Sequence, residues 1–331
     1  MSVLMQLRNK YQIVLLLFLV IPSIVKGIET RVNKPEPPIA LGAYISGAPQ
    51  DSSRIDQFTT MVGTRPRIVM WYQDWAHDRF IPAEMDAVVA HGAMPMVTWE
   101  PWDHSAGSKQ PMYSLSVILS GQYDAYIHQW AKDAAAWGKP FYLRPAHEMN
   151  GSWYPWGTGT GNPNGNTAAQ YVQFWHHLRA IFKEEGATKI IWVWSPNVAF
   201  FRGTSPFVDS YPGDALVDWV ALDGYNGGSA LPWGGWLSLR QIFTASYQRL
   251  ATMTMKPMMI AETASTEAGG DKAQWITQGF LTDIPSYLPR VRAVIWFDEN
   301  KETDWRVNSS SSSTAAYVRV AGSAIYQGRL P

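Results

Sequence analysis

The chain has 331 residues, 46% of them hydrophobic, which is enough for one large domain with an ample core. Lys and Arg together number 27, as do Asp and Glu, and this neutrality gives neither nucleic acid nor an anionic membrane an electrostatic handle. There is no cysteine, so disulfides are excluded; 17 tryptophans and 15 tyrosines are the compositional outlier, a trait shared by aromatic cores and by sugar-stacking surfaces.

Residues 1–27 read as a secretion signal. Arg8 and Lys10 supply the positive end, the run 13–21 is apolar without a break, and Val25 and Gly27 offer a cleavage site before Ile28. The run is shorter than the about 20 apolar residues that a membrane-spanning helix needs. A secreted or periplasmic protein is therefore expected, with a retained N-terminal anchor as the alternative and no other membrane association. Residues 28–39, with Arg31, Lys34, Pro35, Pro37 and Pro38, read as an extended lead-in to a single domain over 40–331.

From there, strand-like apolar runs occupy 40–46, 67–75, 93–101, 140–148, 189–197, 217–226, 257–265 and 291–300. Helix-compatible stretches separate them at 52–62, 83–91, 123–137, 167–185, 237–252 and 271–284, and 315–326 closes the chain. Between the fifth and sixth strands, around Pro206 and Gly213, proline and glycine break the pattern and leave little for a helix. Thr167 is placed to cap a helix, and Gly92, Gly138 and Gly186 fall just past a last turn. The serine run 309–313 reads as a loop before the final helix. Eight strand–helix alternations predict an α/β fold, a (β/α)8 TIM barrel. A doubly wound open sheet is the competitor, but the first strand leads into Ile45-Ser-Gly-Ala-Pro-Gln50, which is not the glycine-rich phosphate turn of that fold.

In such a barrel the working side chains stand at the C-terminal ends of the strands. In order, those ends carry Asp74 and Trp75; Trp99, Glu100 and Trp102; Arg144, His147 and Glu148; Ser195 and Asn197; Asp223 and Tyr225; Glu262; and Trp296, Asp298 and Glu299. Glu148 and Glu262 end the fourth and seventh strands, which face each other across the mouth. A carboxylic acid there can protonate a leaving oxygen while the second carboxylate attacks, and indoles can cover pyranose faces. Hydrolysis with retention calls for carboxyls about 5–5.5 Å apart, and inversion for about 6.5–9.5 Å. The plain structural alternative makes Glu262 a buried partner of Arg144 or His147 and puts the tryptophans in the core. His147-Glu148 does not open H-E-x-x-H, because Gly151 stands where the second histidine belongs. The seven histidines show no metal-ligand spacing, so no metal or other cofactor is expected, although a loop-stabilising ion is left open.

The motif Arg144-Pro-Ala-His-Glu-Met-Asn-Gly-Ser-Trp-Tyr-Pro-Trp-Gly157 resembles the signature of glycoside hydrolase family 26, in the clan of retaining (β/α)8 glycosidases. The likeness continues through Trp192-Val-Trp-Ser-Pro-Asn197, Asp218-Trp-Val-Ala-Leu-Asp-Gly-Tyr-Asn226, Ile260-Ala-Glu-Thr263 and Ala293-Val-Ile-Trp-Phe297. It implies Glu148 as acid/base and Glu262 as nucleophile, with His147 bonding around the scissile sugar and Trp153 and Trp296 as walls of that subsite. Tyr225 would lie beside the nucleophile, Arg144 and Asp223 would support it, and Trp99, Glu100 and Trp102 would line outer subsites. For Arg144 and Asp223 a buried ion pair is the competing reading.

The implied activity is secreted, retaining, endo-acting hydrolysis of internal β-1,4 bonds in a plant-type polysaccharide by a monomer, without nucleic acid. Many mannanases of the family read His-Glu-Asn-x-Gly-x-Trp-Phe-Trp-Trp after the arginine. This chain has Met149 and Asn150 after the glutamate and Tyr154-Pro155 in place of Phe-Trp, a form similar to members acting on mixed-linkage β-glucan. Family majority points first to β-1,4-mannan, with β-1,3-1,4-glucan beside it. A non-catalytic carbohydrate-binding protein would keep the tryptophans yet have no need of both glutamates.

Overall fold

The computed structural model describes residues 38–199 and 204–328. The expected signal 1–27 and nearly all of the lead-in 28–39 lie outside the described residues.

Eight strands close a barrel in chain order: β1 (Ala40–Ile45), β2 (Ile68–Asp74), β3 (Met94–Glu100), β4 (Phe141–Pro145), β5 (Ile190–Trp194), β6 (Trp219–Asp223), β7 (Met258–Thr263) and β8 (Val291–Asp298). Each is parallel to the next, and β8 returns parallel to β1 with Ala40 opposite Ala293 and Ile45 opposite Asp298. The barrel and its order are those expected from the sequence. The helices are α1 (Ser53–Val62), α2 (Pro82–Ala90), α3 (Leu115–Leu119), α4 (Asp124–Trp137), α5 (Ala168–Glu184), α6 (Leu239–Met253), α7 (Lys272–Gln278), α8 (Ile284–Tyr287) and α9 (Ser311–Ala321). Between β5 and β6 the described residues hold only the 3-10 turn Val208–Ser210, as the proline and glycine there require.

Local chemistry sets the helix ends. Thr167 accepts from the Gln170 backbone while Gln170 reaches back, a full capping box on α5. The stretch 271–284, read as one helix, is α7 followed by a π turn over Gly279–Asp283 and then α8, whose first turn holds Pro285. The serine run is not simply a loop. Ser310 caps α9 by accepting from the Ser313 backbone, and Glu267 accepts from the hydroxyls of Ser309, Ser310 and Ser313. Small hydroxyl residues compete with the backbone inside a helix but satisfy it at the start, so the run begins the helix.

Strand side chains alternate between two faces, and this parity decides what each residue can do. One set, including Ile68, Met70, Met96, Tyr142, Ala221 and Ile295, fills the barrel interior. The other set packs outward against the helices with Trp71, Trp99, Trp192 and Trp296, all fully buried. Much of the tryptophan excess is therefore core. Gly42 faces inward, where a Cβ would come within 2.8 Å of the Ile68 side chain, so only glycine fits that contact.

Candidate active site

The inward parity carries polar groups once the strands reach their C-terminal ends. On β4, Tyr142 fills the interior and Arg144, two residues on, lies fully buried at the floor of the cup. Its Nε and one terminal nitrogen donate to Thr98 Oγ1 at 3.0 and 2.8 Å. The other terminal nitrogen donates to both Asp223 oxygens at 3.0 and 2.9 Å, and the guanidinium also bonds Glu262 Oε1. Ser195 Oγ donates to Asp223 as well. The Arg144–Asp223 ion pair expected as the competing reading is thus present, and it holds up the floor of the site.

Glu262 reaches the cup through a bulge. Met259 and Ala261 face the interior, so simple alternation would send Glu262 outward. Instead Leu222 pairs with Ile260 and Asp223 with Glu262, and on the other edge Val294 pairs with Ile260 and Trp296 with Thr263. One extra β7 residue resets the parity and points the carboxylate inward. There it accepts from Tyr72 at 2.7 Å and from Tyr225 at 2.5 Å, besides Arg144. Burial pushes its pKa up, but the Arg144 charge and the Tyr225 and Arg144 donors outweigh that and bring it down to about 2.

Glu148 stands just past β4 on a contorted backbone. Ala146 and Glu148 have φ of 44° and 52°, a left-handed region costly for residues with a Cβ, at about 1–3 kcal/mol each. Backbone bonds from Ala146 N to Trp99 O (3.0 Å) and from Glu148 N to Ser195 O (2.7 Å) hold it. The carboxylate accepts from Trp153 Nε1 and Asn197 Nδ2, both at 2.6 Å. Burial, then the charge of Glu262, raise its pKa to about 7 against those two donors. Burial thus favours the protonated form of Glu148, while the Arg144 charge and two tyrosine donors favour the ionised form of Glu262.

His147 lies buried between the acids, its ring nitrogens 3.8 Å from Glu100 Oε1 and from Glu262 Oε1. Burial and the Arg144 charge push its pKa down to about 3, so the imidazole is neutral; Nε2 meets the Tyr154 hydroxyl at 3.2 Å. Glu100, raised to about 8 chiefly by burial, accepts from Trp102 Nε1 at 3.2 Å. Trp102 stands edge-on to Tyr154, which stacks on Trp156 at 4.3 Å.

Arg144, His147, Glu148, Trp153, Asp223, Tyr225, Glu262, Glu100 and Trp102 therefore come together. Trp296 and Trp99 do not. Trp296 is fully buried against Phe280 and Tyr317, and its indole donates to Trp305 O; Trp99 packs on Trp75 and Trp130. Both sit at outward positions of their strands, so core packing is the correct reading for them. The inward neighbour Phe297 lies beside the cup instead, stacked on Tyr44 and edge-on to Tyr225. Tyr72, Thr98 and Tyr154 were missed as site residues, and Asn197 was placed at a strand end without a role. For Tyr72 and Thr98 the signal was available, since each lies two residues before a strand-end acid on the same face.

A further concavity of about 440 Å3 lies at the opposite end of the barrel, lined by Arg67, Val89, Met94, Lys139 and neighbours, and it contains no acid or imidazole. The His147, Asp223 and Glu262 ligand atoms lie close enough for a metal, but the Arg144 guanidinium already bridges both carboxylates as the resident cation.

The glycosyl hydrolase family 26 model matches residues 75–277, which takes in both glutamates and the whole Arg144–Gly157 motif. The chain belongs to glycoside hydrolase family 26. Its relatives include endoglucanase H of Acetivibrio thermocellus, 40% identical over 86% of this chain, and mannan endo-1,4-beta-mannosidase A and B of Caldalkalibacillus mannanilyticus, 40% identical over 27% of it. The chain spans 30% and 17% of the lengths of those two proteins. A family 26 β-mannanase structure from Bacteroides ovatus superposes with a TM-score of 0.63 at 18% identity, covering 88% of this chain and 90% of that one, and shares the barrel.

Proposed function

We propose that this family 26 chain is a retaining endo-β-glycanase with Glu148 as acid/base and Glu262 as nucleophile. The observation that carries the reading is the contrast between two buried glutamates in one cup: Glu262 accepts from Arg144, Tyr72 and Tyr225, whereas Glu148 has only the neutral donors Trp153 and Asn197. Glu262, ionised, attacks the anomeric carbon while the Glu148 proton passes to the glycosidic oxygen, which leaves as an alcohol. The glycosyl ester on Glu262 no longer carries the charge that raised Glu148, so Glu148 becomes a better anion just when it must take a proton from water. That water attacks the same carbon, Glu262 departs as carboxylate, and the β-configuration returns. Tyr72 and Tyr225 hold the attacking carboxylate in place, and Trp153 braces the acid.

The substrate proposed is a β-1,4-linked plant-type polysaccharide, with a β-glucan of mixed 1,3-1,4 linkage ahead of β-1,4-mannan. The relative matched across most of this chain bears an endoglucanase name, and residues Met149-Asn150 and Tyr154-Pro155 depart from the mannanase form of the motif. The mannan reading retains the support of the mannanase relatives, whose matches cover about a quarter of the chain. Export through residues 1–27 and action as a monomer on the polymer complete the proposal.

The test compares kcat/KM on barley glucan and on linear mannan, follows viscosity for internal cleavage, and reads the fresh product by NMR. Faster glucan hydrolysis with β-anomer first is expected. Glu148→Ala should lose about 10²–10⁴-fold in rate and Glu262→Ala at least as much. Undiminished activity in Glu262→Ala, or an α-anomer first, would overturn the mechanism, and faster mannan hydrolysis would reverse the substrate order.

A further inference from the structure

Outside the cup, the loops after β2 and β3 bring two imidazoles onto one carboxylate. Asp74, at the end of β2, has a side chain only 2% exposed. His77 Nδ1 lies 3.1 and 2.9 Å from its two oxygens, and His104 Nδ1 also bonds Oδ2. The backbone N–H groups of His77 (2.7 Å) and His104 (3.3 Å) fix the same carboxylate. Asp103 caps the short 3-10 turn His104–Ala106, with one oxygen taken by Ser105 N (2.9 Å) and Ser105 Oγ (2.6 Å). One ligating atom from each of Asp74, His77, Asp103 and His104 lies within 4.8 Å of all the others. The two rings meet edge-on at 5.5 Å, and both side chains are more than half exposed, so the cluster is open to solvent.

We propose that Asp74, His77, His104 and Asp103 form a binding site for a divalent first-row cation, zinc foremost, that clips these two loops together on the rim above the cup. Zinc takes four ligands at about 2.0–2.2 Å, which sets ligand atoms roughly 3.3–3.5 Å apart. The His77 Nδ1 separations, 3.1 and 2.9 Å, are a few tenths of an ångström tighter and the His104 Nδ1 contact is tighter still, as bridging protons would make them. Small outward rotations of the two exposed rings seat the ion, each ring offering its Nδ1 lone pair and carrying its hydrogen on Nε2. Imidazole with carboxylate is the ligand set of borderline cations rather than of calcium or magnesium, which take oxygen. The carboxylate arrives already oriented by backbone donors, an arrangement that supports metal ligands elsewhere.

The experiment uses the full chain stripped with chelator and titrated with zinc chloride by calorimetry, with cobalt(II) absorption as a second probe and thermal unfolding with and without zinc. The expected result is one zinc per chain, a visible four-coordinate cobalt band, and a zinc-dependent rise in Tm. His77→Ala and His104→Ala should each weaken zinc at least about 10-fold and abolish the Tm rise, while far-UV circular dichroism stays that of the parent. No saturable zinc binding, or binding unchanged in both variants, would overturn the proposal. So would variants that lower Tm equally with and without zinc, since the histidines would then be a hydrogen-bonded staple only.

Discussion

Asn197 donates to Glu148 at 2.6 Å, and this bond favours the charged form of a carboxyl that burial and Glu262 push the other way. On the proposed mechanism Glu148 must be protonated at the start of each turnover, so activity falls as pH rises through its pKa, near 7 in the free enzyme. The acid limb belongs to Glu262 and lies far lower, near 2. Removing the donor with Asn197→Ala should shift the basic limb of kcat/KM to higher pH by on the order of one unit, one unit being about 1.4 kcal/mol. A full pH–rate profile checks this, and a basic limb that stays put or moves down contradicts it. Replacing Trp153 removes the other donor but also a large indole beside the acid, so Asn197 isolates the electrostatic effect.

At the scale of the element, two local irregularities build the site, and they differ in how far the sequence exposes them. The turn after β4 needs Gly151, because a Cβ there would come within 2.5 Å of the Trp153 ring that folds back onto Glu148. Gly151→Ala should displace Trp153, lower kcat about 10-fold or more, and leave far-UV circular dichroism and the metal-binding rim unchanged; kinetics indistinguishable from the parent would contradict this placement. The dense run of Arg144, His147, Glu148 and Asn150 made this turn legible in the sequence. The β7 bulge was not. Nothing in Met258-Met-Ile-Ala-Glu-Thr263 announces an extra residue, and strict alternation would have turned Glu262 toward the helices. Glu262 was found because it ends the seventh strand, across the mouth of the barrel from Glu148 at the end of the fourth. Trp296 and Trp99 went the other way, since indoles near strand ends suit both core and sugar face, and only parity separates the two. Counting back from the inward residues of the same strands would have exchanged Trp296 for Phe297 and added Tyr72.

At the scale of the whole molecule, strand–helix alternation is a repeated signal, and eight strands with seven helical stretches overdetermined the barrel even where α3 went unseen and the serine run was misread. The closed barrel leaves its polar end groups facing one cup, and that concentration is destabilising in part. A carboxyl titrates near 4.3 in an unfolded chain but near 7 at Glu148. Its folded pKa is raised, so stability falls as pH rises from roughly 4.3 to 7, by on the order of 3 kcal/mol. Glu262 works in the opposite sense: its lowered pKa adds stability above about 4.3 that is lost as pH falls toward 2. Glu148→Gln removes the first contribution only. The Tm of this variant minus that of the parent should therefore grow from pH 4 to pH 7 by several degrees; a constant or shrinking difference would contradict the raised pKa.

On the proposed mechanism Glu262 forms a covalent bond to the sugar while Glu148 moves the proton. A 2-deoxy-2-fluoro β-glycoside of the sugar cleaved fastest, carrying a good leaving group, slows the second step so that the adduct accumulates. Peptide mapping by mass spectrometry of the inactivated protein should place one glycosyl group on the peptide containing Glu262, released again on adding an acceptor sugar. Attachment at any other residue, or steady turnover of the fluoro-sugar with inverted product and no adduct, would contradict the account.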